Sequence, residues 1–298
     1  MTSKKQTLIR LGLFLLITVS LTWIPHFICL HLFGFESWLT GPFGVIVTLT
    51  MFAPMLGNIL THLITKEGWG ESGLHFHFKG NVRWYLTAYL IPFLWWCIAV
   101  ILINTAHGNW QFEGLAGHSF AELFTEFCGA AVFPLLYSSL CCFGEEFGWR
   151  GYLNQKLSAL TGTAGAVVIG GIIWGLWHAP LVARGFDFGS GHPVCSVILM
   201  CVSCILINAV LMWLTEKTDS VFPAVLVHTV MDLGMDQFFI RYFVSGLSEE
   251  TAGRVTELQF GILIMIVPEL IVGTGFVILL LRGKRNSPEP GSMTPKRS

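Results

Sequence analysis

The stretch Gly144-Glu145-Glu146-Phe147-Gly148-Trp149-Arg150 puts two adjacent carboxylates and an arginine directly after an apolar run, Ala130 to Phe143. Only 12% of the chain is charged. Ionisable groups at the edge of hydrocarbon are expensive, so they are paired, functional or both. On a helix, Glu146 and Arg150 stand four apart on one face and can pair. Glu145 points about 100° away by the helical period, so Arg150 does not easily neutralise it. One carboxylate is then held by a partner and the other is free to act. Two carboxylates alone fit an interfacial charge cluster equally well, so the rest of the chain has to decide.

Composition sets the class. Of 298 residues 53% are hydrophobic, with 24 Phe and 11 Trp, and the mean hydropathy is +0.67. A soluble domain carries about 25% charged residues, roughly twice this share. The chain therefore reads as an all-α, polytopic membrane protein. Its net charge of −1 says nothing about partners, and the chain has no basic stretch suited to nucleic acid. The first apolar run, Leu8 to Phe33, is too long for a signal-peptide core and lacks a small-x-small cleavage site, so it reads as a retained span.

A crossing needs about 20 apolar residues. Eight segments qualify, at about 8–33, 42–65, 82–104, 120–143, 164–183, 193–214, 221–243 and 257–281. Connections are short, so residues 1–281 read as one transmembrane bundle, with its motif-bearing core at about 120–243. The tail 282–298, rich in Pro, Ser and Lys, reads as disordered and cytoplasmic. Of the 17 Lys and Arg, only Arg184, Arg241 and Arg254 fall on the side opposite the termini. The positive-inside rule then places both termini, and the Glu145 end of the fourth span, in the cytoplasm.

Several polar residues read as structural. The cysteines lie in apolar runs as small hydrophobes, and the Cys201/Cys204 spacing has no second pair to complete a metal site. His26 and His31 flank Pro25 and read as interfacial, while His75 and His77 alternate in a loop with nothing nearby to complete a ligand set.

The fifth and seventh spans are different. Gly171 and Gly175 form a small-xxx-small pair that admits a close neighbouring helix. Trp174 stands four before His178, and Pro180 cannot donate to the Leu176 carbonyl, which loosens the helix beside the imidazole. In the seventh span His228 and Asp232 share one face, and Asp236 continues it one turn on. A satisfied core histidine and a packing hydrogen bond are the plain alternatives for these two groups. Together the three spans supply a carboxylate base, two imidazoles and a hydrogen-bonding side chain, a set suited to activating water and stabilising an oxyanion. No serine nucleophile presents itself: Ser190, in Gly189-Ser190-Gly191, falls in a loop on the non-cytoplasmic side. HExxH and Walker sequences are absent.

These motifs also carry a resemblance. Glu145-Glu146-Phe-Gly-Trp-Arg150 resembles the EExxxR motif of the CPBP (Abi) family, which takes in type II CAAX prenyl endopeptidases and bacteriocin-processing proteins. Trp174-Gly-Leu-Trp-His178 resembles its FxxxH motif with Trp for Phe, and His228-Thr-Val-Met-Asp232 its HxxxN motif with Asp for Asn. The resemblance covers roughly residues 40 to 280. It implies an intramembrane glutamate endopeptidase, open to the cytoplasm and needing no cofactor, that hydrolyses peptide bonds of membrane-associated or small peptide substrates. Its implied partners are a peptide or membrane-anchored protein and the lipid bilayer, and the expected location is a prokaryotic plasma membrane.

Carried over by position, Glu145 is the general base, activating water with His178, and His228 with Asp232 forms the oxyanion hole. Glu146 and Arg150 orient Glu145, and Trp174 packs on His178. An ionised Asp232 would repel an oxyanion, so the favoured expectation is an acid kept neutral by hydrocarbon surroundings; the alternative is a cationic His228 that keeps Asp232 ionised and is itself the only oxyanion donor. Two other readings stay open. One is a non-catalytic peptide-binding or bacteriocin-immunity protein. The other is a metal-dependent peptidase using the two histidines and two carboxylates.

Overall fold

The computed structural model describes residues 3–38, 41–69, 72–108, 110, 112–232, 238–244 and 256–285. No strand occurs among them. Helix α1 (Lys4–Phe33) starts at a capping box in which Ser3 and Gln6 exchange side-chain and backbone bonds. Helices α2 (Pro42–Thr50) and α3 (Ala53–Thr65) meet at a 41° bend, with Pro54 in the first turn of α3. Helix α4 (Val82–His107) ends on a left-handed Gly108. Helix α5 (Phe120–Gly148) runs through a π-helical turn, Trp149–Leu153, into α6 (Asn154–Trp177). Then come α7 (Ala179–Val182), α8 (Pro193–Thr218), α9 (Phe222–Asp232) and a π-helical stretch, Ile240–Val244. Helix α10 (Glu257–Gly261) leads through a second such stretch, Ile262–Ile266, into α11 (Val267–Arg285).

Five helices are long and apolar enough to cross a bilayer, or six if the bent α2–α3 pair is one crossing. These helices do not map one to one onto the eight segments expected. The expected fourth and fifth segments lie in one run, Phe120–Trp177, of 58 residues. At 1.5 Å per residue such a run would reach about 87 Å, nearly three hydrocarbon cores. Gly162, at φ 77°, turns the chain inside it. The expected seventh segment holds α9, whose 11 residues are too few to cross alone. Residues 233–237, Asp236 among them, lie outside the described residues, as does most of the tail. Arg282 to Arg285 continue α11.

Helix α8 runs through the centre: from Leu206 to Leu214 every residue is buried. Helix α6 lies close against it through the two glycines singled out in the sequence. A Cβ on Gly171 would sit 2.5 Å from the Ile205 Cα, and one on Gly175 2.5 Å from the Cys201 Cα. A buried polar clamp joins the same pair, with the Asn154 amide donating to Asn208 Oδ1 at 2.5 Å and Asn208 donating to the Val167 carbonyl at 3.0 Å. At the end of α3, Glu67 accepts from Arg10 at 3.1 Å, Lys156 at 2.5 Å and the Tyr152 hydroxyl at 3.1 Å. Burial pushes the Glu67 carboxyl up, but Lys156 and Arg10 outweigh it and hold the group below its usual range. His26, expected at the interface, is buried within the protein. It is 2% exposed, with Nε2 2.9 Å from Thr50 Oγ1.

Candidate active site

The site is assembled where α5 passes into its π-helical turn. Single π turns inside helices widen the backbone and gather at functional positions. This one is anchored from outside, because Asn58 on α3 donates to the Phe147 carbonyl at 2.8 Å. Glu145, Glu146 and Arg150 are 2%, 0% and 1% exposed. Arg150 Nη1 donates to Glu146 Oε1 at 3.0 Å, and its guanidinium lies 4.1 Å over the Trp174 ring. Glu145 occupies the other face, and no Lys or Arg among the described residues pairs with it. Its Oε2 accepts from two indole N–H groups, Trp174 at 3.0 Å and Trp149 at 3.3 Å. The two carboxylates are therefore solvated differently: one by an ion pair, one by neutral dipoles.

Helix α6 brings Trp174 and His178. The His178 Nδ1–H donates to the Trp174 carbonyl at 2.9 Å. A carbonyl can only accept, so a neutral His178 keeps its lone pair at Nε2. Helix α9 brings His228, 3% exposed. Its Nδ1 stands 2.7 Å from Glu146 Oε1 and its Nε2 2.9 Å from Asp232 Oδ2. With both acids ionised, the ring donates at both nitrogens as an imidazolium. The result is a continuous chain, Asp232–His228–Glu146–Arg150, joining α9 to α5. The Trp174 ring lies edge-on to it, 5.5 Å from the His228 ring and 5.9 Å from that of His178.

All seven residues singled out in the sequence thus fall in one neighbourhood. Three features were not foreseen. Glu146 has a second partner, His228, which no local spacing reveals. Trp174 acts through its N–H as well as its ring. Trp149 was missed, although it stands four residues after Glu145 and carries a donor. Asp232, 34% exposed at its side chain, is bonded to His228, a contact open both to a neutral acid and to an ionised partner of the ring. No group of three or more His, Cys, Asp and Glu placed to share a metal occurs among the described residues.

Fold and site together define an integral membrane protein of helices with a buried carboxylate–imidazole centre built from α5, α6 and α9. Residues 127–234 match the family described as Type II CAAX prenyl endopeptidase Rce1-like, a stretch that contains all three motifs. The chain is also 30% identical over 179 residues to CAAX prenyl protease 2 of Methanococcus maripaludis, an alignment taking in 57% of this chain. It spans 62% of that relative's length. The resemblance read from the motifs is thus met by both comparisons.

Proposed function

We propose that this protein is an intramembrane endopeptidase in which Glu145 activates water for attack on a peptide bond. The observation that carries the reading is the division of the two carboxylates: among the described residues Glu146 is bound to Arg150 and His228, and Glu145 is held by indole N–H groups. A base kept from an ion pair retains a lone pair for a proton. In the proposed step Glu145 takes a proton from water as the oxygen bonds to the carbonyl carbon, with His178 Nε2 accepting the second water hydrogen. The tetrahedral oxyanion then collapses, the C–N bond breaks, and Glu145 returns its proton to the leaving amine.

In this reading His228 is the donor to the oxyanion. Both of its nitrogens face carboxylates, so one contact has to open, and Asp232 is the exposed partner of the two. Glu146 and Arg150 hold the other end of the ring and orient the turn that carries Glu145. By analogy with the relative's name, the substrates are membrane-associated peptides, reached from the cytoplasmic side of a prokaryotic plasma membrane. Residues 1–281 serve as one catalytic domain.

The test is hydrolysis of membrane-associated peptides by purified protein against its Glu145→Gln variant. Loss of the base should lower the rate by about 10²–10⁴-fold. Full activity in Glu145→Gln would overturn the assignment and favour peptide capture without chemistry. Loss of rate on chelation, restored by added Zn²⁺, would favour the metal-dependent alternative.

A further inference from the structure

Helix α6 ends at Trp177, one residue before His178, because Pro180 has no N–H to carry the ladder onward. In a continuous helix the Leu181 amide would bond the Trp177 carbonyl. Here it donates to the His178 carbonyl instead, at 3.0 Å. The Trp177 carbonyl is taken by another helix: the indole N–H of Trp23, on α1, donates to it at 3.1 Å. The same residue is gripped a second time, since the Trp177 indole N–H donates to Thr22 Oγ1 at 2.8 Å. Thr22 in turn donates to the Thr18 carbonyl at 3.0 Å, which leaves its lone pairs facing away from α1.

A buried carbonyl at a helix break needs a donor, so one bond of this kind has a purely structural use. Two bonds from adjacent residues to the backbone and side chain of one tryptophan do more. The Trp177 carbonyl and the His178 N–H belong to a single planar peptide unit. Trp23 holds its oxygen, and the Gly175 carbonyl accepts from its N–H at 3.2 Å. The plane from which the His178 side chain departs is thereby held at both ends. The Trp177 ring, kept in place by Thr22, stands edge-on to the His178 ring with centroids 4.7 Å apart.

Resting on the peptidase reading above, we propose that Thr22 and Trp23 are positioning residues: α1 clamps Trp177 and so sets the orientation of the His178 imidazole. Neither residue touches the reacting atoms. Helix α1, which holds none of the motifs, then becomes part of the catalytic apparatus.

Trp23→Phe keeps an aromatic ring but removes the N–H together with part of the indole, and Thr22→Val removes the acceptor at nearly constant shape. Each should lower kcat about 3- to 10-fold with KM unchanged, the scale of one lost hydrogen bond. Neither should lower the rate further in a His178→Gln background, because residues acting through one group are not additive. Wild-type kinetics in both variants, or losses that add in full to that of His178→Gln, would overturn the clamp. Thr22→Val carries the test where Trp23→Phe fails to fold. If the wild-type protein shows no Glu145-dependent hydrolysis, the proposed function fails. The clamp is then judged by NMR of ¹⁵N-histidine-labelled protein. A shifted His178 ring signal in the two variants supports it, and an unchanged signal overturns it.

Discussion

Trp in place of Phe at position 174 adds one polar hydrogen, and in this fold that hydrogen lands on Glu145 Oε2 at 3.0 Å. A departure from the FxxxH pattern that looked like a change of ring is a change in how Glu145, the proposed base, is held. The second departure, Asp232 for Asn, puts a carboxyl group 2.9 Å from His228 Nε2, 34% exposed at its side chain. Of the two expectations for it, neutral donor or ionised partner of His228, this contact favours the second. A carboxylate there accepts from the imidazole, and a charge-assisted bond of this kind is worth about 1.5–3 kcal/mol. Asp232→Asn should therefore cost activity, roughly 10-fold in kcat, because an amide holds a cationic His228 less firmly than a carboxylate does. Unchanged or faster turnover in this variant would return Asp232 to the role of neutral donor.

The elements that place these residues are held together by close backbone approach more than by large side chains. Helix α5 crosses the bend between α2 and α3 at Gly144 and Gly148, on either side of the two carboxylates. A Cβ on Gly148 would stand 2.3 Å from the Pro54 Cβ and 2.5 Å from its carbonyl oxygen, and one on Gly144 2.9 Å from the Met51 carbonyl oxygen. Backbone and a proline ring cannot turn aside as a flexible side chain can. Gly148→Ala should therefore destabilise the protein by about 1–3 kcal/mol, as overpacking does, and lower activity by displacing the Glu145 turn. Gly275, in the middle of α11, has nothing within 4 Å of its missing Cβ. Gly275→Ala should be neutral or stabilising by up to about 1 kcal/mol, from helix propensity alone. Thermal unfolding of both variants in detergent, beside wild type, measures the contrast. Equal midpoints would show that the Gly148 contact relaxes without cost.

For the molecule as a whole, the distribution of Lys and Arg predicts which face of the membrane the Glu145 turn meets. His75, in the loop between α3 and α4, is a suitable reporter because it is exposed, whereas Ser72 nearby is buried. In a background without the eight native cysteines, His75→Cys should resist a membrane-impermeant maleimide added outside and react after permeabilisation. Labelling from outside would invert the topology and put the proposed site on the opposite face. The sequence by itself determined the helical membrane class, from composition and the length of its apolar runs. It also determined two pairs set by the helical period, Glu146 with Arg150 and His228 with Asp232, because residues four apart share a face wherever the helix is placed. Apolar length alone did not reveal the turn at Gly162 or the 11-residue length of α9. Only the tertiary structure decided which helix answers which. Glu146 meets His228 across 82 positions and Glu145 meets Trp174 across 29, while Trp177 meets Trp23 and Thr22 across 154 and 155. Those contacts depend on crossing angle and on glycine-mediated approach between helices, which no local period encodes.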